Sequence, residues 1–195
     1  EAFALFAGVM LLFWFFGQLA QATDLVWGTV ASQTLLFALP AVGALAYLGL
    51  PLRETLALRA PAPRDAALAV IVGLCSPGLA TLVLLAQEPL IPVGDLGEQM
   101  GMLLLADLPW WVPLIVFAAL PAVCEELLFR GALLGLLRRS LSPAVGICVV
   151  ALGFGFAHAM LPRVLPTAAL GVLLGVAAIR SRSLFVPMIL HATHN

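Results

Sequence analysis

Three ionisable residues, Glu125, Glu126 and Arg130, stand in the run Trp110–Leu137 (WWVPLIVFAALPAVCEELLFRGALLGLL), which otherwise reads as a membrane-spanning helix. On insertion scales an acid or a guanidinium at mid-bilayer costs roughly 2.5–3.5 kcal/mol, so three without partners would nearly cancel the apolar gain. Such residues persist where they pair, face a polar cavity or do chemistry. Glu126 and Arg130 are four apart, share a helix face and can pair. Glu125 is rotated by about 100° and has no cation one turn away on its own helix. The spacing therefore predicts a structural Glu126–Arg130 ion pair and leaves Glu125 as the free carboxylate, available as a base. A low-dielectric pocket brings such a group toward useful basicity near neutral pH. The competing reading is that all three form one buried pairing network that only fixes helix register.

The chain has three histidines, all in its last 38 residues. His158 ends the run Gly153–His158, and His191 and His194 lie in the closing sequence HATHN. His191 and Asn195 are four apart and share a helix face. A carboxylate with an imidazole can activate water, and an imidazole with an amide can hold a tetrahedral oxyanion. His194 has no assigned role.

These residues need elements to bring them together. The chain is 63% hydrophobic and 10% charged, with mean hydropathy +1.14, far from the roughly 25% charge of a soluble domain. Apolar runs of about 20 residues with short polar breaks mean membrane helices rather than a barrel, whose strands would alternate. A net charge of −1 excludes an electrostatic nucleic-acid binder. Seven segments can be drawn: Ala2–Ala20, Leu25–Leu50, Ala66–Ala86, Trp110–Leu137, Pro143–Ala159, Val164–Ile179 and Leu184–Asn195. The expected fold is one all-α, polytopic transmembrane bundle over residues 1–195, with room for an eighth span in a longer protein. A start at Glu1 and a stop inside an apolar segment read as a chain trimmed at both ends. Cys75, Cys124 and Cys148 all fall in apolar runs and suggest no disulfide framework.

All nine basic residues are arginine. Threading the segments up and down puts Arg53, Arg59, Arg64, Arg138, Arg139, Arg180 and Arg182 on one side, with Arg163 opposite. The positive-inside rule makes that side cytoplasmic, in a bacterial inner membrane. Residues 97–106 are expected to form an interfacial amphipathic helix or a solvated loop. Ser142-Pro143 and Ser183 read as helix N-caps. Gly131/Gly135 and Gly171/Gly175 read as packing seams. At about 1.5 Å per residue, Glu125, His158, His191 and Asn195 fall at overlapping depths and can meet in one cavity.

The three clusters, Glu125-Glu126-x-x-x-Arg130, Phe154-x-x-x-His158 and His191-x-x-x-Asn195, resemble the signature motifs of the CAAX-protease and bacteriocin-processing family. This family is also called CPBP or Abi and includes the type II CAAX prenyl endopeptidases. The resemblance covers residues 110–195, and the first three spans are similar only in being hydrophobic. It implies an intramembrane endopeptidase in which Glu125 and His158 activate water, His191 and Asn195 bind the oxyanion, and Glu126, Arg130 and Phe154 shape the site. Its partners would be a protein or peptide substrate, lipid-modified in some members, together with membrane lipid.

Metal dependence divides two mechanisms. Glu125, His158 and His191 could form a catalytic zinc site. The HExxH spacing is absent and Asn195 is a poor zinc ligand, which favours a glutamate mechanism with no obligatory cofactor. Two other function classes remain open on the residues alone. One is a proton or ion relay in a small transporter, and the other a non-catalytic immunity or scaffold protein.

Overall fold

The computed structural model describes residues 1–92 and 108–195. The segment expected to lie in the interface, 97–106, falls outside the described residues. Helices α1 (Ala2–Thr23), α2 (Leu25–Tyr47), α3 (Leu52–Thr55), α4 (Pro63–Gln87), α5 (residues 111–137), α6 (Pro143–Ala157), α7 (Leu161–Ser181) and α8 (Phe185–His194) follow in order. No strand occurs among the described residues. Four of these helices, α1, α2, α4 and α7, are long and apolar enough to cross a membrane. The shorter α6 ends sooner than the sequence suggests. Ala159 takes φ 53° and stops α6, and Gly49 takes φ 65° just beyond α2.

Several contacts explain why these sequences fold as they do. Asp24 alone separates α1 from α2 and caps α2, its carboxylate accepting from Trp27 N at 2.9 Å. At that corner Gly28 lies so close to the Ala20 backbone that a Cβ could not fit. Gly171 and Gly175 sit against Ala151 and Ile147, so the expected small-residue seam joins α7 to α6. Gly131 and Gly135 face Leu56 and Thr55 of the α3 region. Ser142 caps α6 as expected. Ser183 does not cap α8: its hydroxyl donates to Arg59 O at 2.6 Å, and Leu184 precedes the helix instead.

Pro77 lies inside α4 and has no N–H to give the Gly73 carbonyl. The Ser76 hydroxyl donates to that carbonyl at 2.7 Å. Its oxygen in turn accepts from His194 Nδ1 at 2.7 Å. His194 thus belongs to the α4–α8 contact. Outward-facing Ile71, Leu74, Leu82 and Leu85 on α4 are more than half exposed, as a lipid-facing surface requires.

The bundle has two unlike ends. At one, the connections carrying Arg53, Arg59, Arg138, Arg139 and Arg182 meet. Leu184 N donates to Ala57 O at 3.0 Å there, and Gly135 abuts Thr55. At the other, the Asp24 corner lies near residues 157–163, and Gln87 Nε2 donates to Pro162 O.

Candidate functional site

A cavity of about 430 Å³ opens at the second end. Glu125 of α5 and His158 at the end of α6 both line it. The rest of its wall comes largely from α1 and α2, including Phe13, Gln21, Thr29 and Gln33. Each of the two candidate groups is held by one atom and leaves the other without a protein partner among the described residues. Glu125 is 8% exposed, and its Oε1 accepts from Gln33 Nε2 at 2.8 Å. His158 Nδ1 donates to Phe154 O at 2.9 Å, which leaves the Nε2 lone pair as acceptor.

Gln33 was not among the residues singled out from sequence. It sits in the run ASQTLLFALP of α2, where it is 5% exposed. The available signal was an amide in an apolar span, which is costly to bury without a hydrogen-bond partner. Its position also falls in a wide, π-type stretch, Ser32–Ala38, a distortion frequent at functional sites.

Behind the cavity lies a fully buried polar group. Glu126 Oε1 accepts from Arg130 Nη1 at 2.8 Å, as its spacing predicts, and from His191 Nδ1 at 2.9 Å. The second contact was not foreseen. It makes Glu126 the residue that orients His191, fixing the proton on Nδ1. Arg130 Nη2 donates onward to Gly171 O at 3.1 Å, tying α5 to α7. Among the described residues, Glu126 Oε2 and Arg130 Nε have no protein partner.

Phe154 connects the two groups. Its ring meets His158 edge-on at 5.2 Å between centroids, His191 at 5.6 Å and Phe129 at 5.0 Å. The Arg130 guanidinium carbon lies 4.4 Å from the same ring centre. His191 is 3% exposed and lies outside the cavity lining. Asn195 also lies outside it, its Nδ2 donating to Ala118 O at 3.4 Å. Ala118 is seven residues before Glu125, about 10 Å up the same face of α5. The structure thus brings Glu125 and His158 into one cavity and places His191 and Asn195 beside it.

A zinc ion would need three converging donors. Among the described residues no three His, Cys, Asp or Glu side chains are grouped to hold a metal. Of the three candidates, Glu125 Oε1 is taken by Gln33 and His191 Nδ1 by Glu126, and Glu125 Oε2 and the Nε2 atoms of His158 and His191 are the donors left.

No curated protein and no solved structure matches the chain. Residues 107–195, which carry all three motifs, match the family model described as Type II CAAX prenyl endopeptidase Rce1-like. That match makes the motif-bearing part of this integral membrane protein similar to the CAAX-protease family.

Proposed function

We propose that the chain is an intramembrane endopeptidase that hydrolyses a peptide bond in a membrane-associated protein or peptide. The observation that carries this reading is the pairing of Glu125 and His158 in one cavity, each anchored through its non-reacting atom. A water between Glu125 Oε2 and His158 Nε2 meets two acceptors. As its oxygen bonds to the scissile carbonyl carbon, one proton passes to Glu125 and the carbonyl oxygen becomes an oxyanion. When the tetrahedral species collapses, the C–N bond breaks and Glu125 returns that proton to the leaving amine.

The oxyanion needs donors. His191, turned by its Nδ1 contact to Glu126, is the first candidate. Asn195 supplies the second once its amide leaves Ala118 O, a long bond at 3.4 Å. Glu126 and Arg130 position His191, and no step is routed through a metal.

The test is cleavage of a quenched-fluorescent peptide panel, including a prenylated CAAX peptide, by purified protein in detergent. Glu125→Gln keeps shape and hydrogen-bonding capacity but cannot take the proton. It is expected to lower kcat by about 10²–10⁴-fold while the protein stays folded. A chelator is expected to leave wild-type cleavage intact. Equal cleavage by both proteins sinks the assignment of Glu125, and loss with chelator sinks the metal-independent route.

A further inference from the structure

We infer that a second, water-filled port reaches the buried Glu126–Arg130–His191 group from the arginine end of the bundle. The Arg130 side chain is fully buried, with Nη1 donating to Glu126 and Nη2 to Gly171 O. Its remaining donor, Nε, has no protein partner among the described residues. A guanidinium N–H that has left water without an acceptor is costly, so buried donors of this kind are met by ordered water or an ion. Arg130 also lines a chamber of about 60 Å³ that shares none of its wall with the reaction cavity. That volume is several times the roughly 10–15 Å³ a single water needs.

The chamber is not sealed. Glu54, Thr55, Gly135 and Arg138 line it, and the same residues line a vestibule of about 360 Å³ at the arginine end, beside Arg139. Gly135 leaves this passage without a side chain, and a Cβ there would stand 3.2 Å from Thr55 O. The chamber sets Glu54 beside Arg138, and the Arg130 charge is already met by Glu126, so water suits it better than an anion. Water held there completes the hydrogen bonding of Arg130. It also links the buried group to solvent by a path separate from the reaction cavity. A ligand that fills the reaction cavity therefore leaves Arg130 in contact with water from behind.

The first test reads that water directly. In full-length chain with Cys75, Cys124 and Cys148 changed to Ala, one cysteine is placed by Leu134→Cys, in the chamber and one turn from Arg130. The comparison is Leu128→Cys, also buried and outside both the chamber and the vestibule. Purified protein in detergent is treated with methyl methanethiosulfonate, a small neutral reagent. It reacts with the thiolate, which forms where water reaches the sulfur. Modification of Leu134→Cys about tenfold or more faster than that of Leu128→Cys is expected. Equal rates, or a slower Leu134→Cys, overturn the inference.

The second test fills the chamber. An apolar group added to an empty cavity commonly stabilises a protein. Here Ala178→Leu, from the chamber wall, displaces the water that meets Arg130 Nε and is expected to lower the midpoint of unfolding in SDS. In an Arg130→Leu background, where no donor needs that water, the same substitution is expected to leave the midpoint unchanged or raise it. An equal fall in both backgrounds reports packing strain alone and overturns the inference, as does no fall with Arg130 in place. Where a variant does not yield folded protein, the thiol comparison decides alone. Neither readout involves cleavage, so the port and the proteolytic reading stand or fall separately.

Discussion

Replacing Glu126 by leucine should destabilise this protein more than replacing its partner Arg130, and replacing both should restore part of the loss. Glu126 is fully buried, and one of its oxygens accepts from both Arg130 and His191. Without it a buried guanidinium loses its counter-charge, which costs about 3–5 kcal/mol. The His191 N–H also loses its acceptor, at about 1–3 kcal/mol. Arg130→Leu is milder, because Glu126 keeps its hydrogen bond from His191. The double variant buries no unpaired charge and orphans only His191, so it should be more stable than Glu126→Leu alone.

Hydrogen bonds between membrane helices average only about 0.6 kcal/mol, so a loss several times larger identifies charge burial as the cause. The measurement is unfolding in mixed micelles on titration with SDS, with Cys75 and Cys148 changed to Ala. The exposure of buried Cys124 to a thiol reagent then reports the transition. If Glu126→Leu does not yield folded protein, Glu126→Gln supplies a graded version that keeps one acceptor. Strictly additive single effects, with a double variant less stable than either, would refute the argument, because the two charges would then not be compensating one another.

Gln33→Leu removes the protein donor to Glu125 Oε1 and should lower cleavage by about tenfold or more while the unfolding midpoint changes little. Steady-state kinetics beside SDS unfolding separates the two effects. Gly73→Val puts methyl groups where Thr193 and Leu190 O already stand, and should cost about 1–3 kcal/mol by forcing α4 from α8. Ser76→Ala frees the Gly73 carbonyl and the His194 N–H together, and should lower stability by about 1–2 kcal/mol with the turnover of folded enzyme unchanged. Asp24→Ala should cost about 1 kcal/mol by uncapping α2, read as a lower midpoint in the same titration.

Composition made the helical membrane architecture legible, because apolar runs of this length have no other stable form in lipid. The i, i+4 rule anticipated the Glu126–Arg130 pair and the freedom of Glu125 from it. Depth along each helix anticipated that Glu125 and His158 could meet, since rise per residue is nearly constant. Rotation about the helix axes was not legible. Sequence spacing fixes which residues share a face but not which neighbour that face meets. For that reason the Glu126–His191 contact, the turning of His194 toward Ser76, and the distance of Asn195 from the cavity all required the packed bundle. Gln33 was hidden for a related reason: its partner is 92 positions away, and its own run looks like an ordinary apolar span.

The cavity's composition divides the chain in an unexpected way. The proposed reacting groups, Glu125 and His158, lie within the matched residues 107–195 together with Phe117, Met160 and Arg163, whereas Phe13, Gln18, Gln21, Leu25, Thr29, Gln33 and Phe37 come from the first two helices. On the proposed function, the reacting groups would come from the matched stretch and half of the wall around the substrate from the first two helices. The front helices can drift to suit new substrates without disturbing the hydrolytic apparatus. Two proteins alike only in their second halves would then break bonds by the same route while choosing different ones to break. Exchanging residues 1–47 between them is the direct way to move a preference from one to the other.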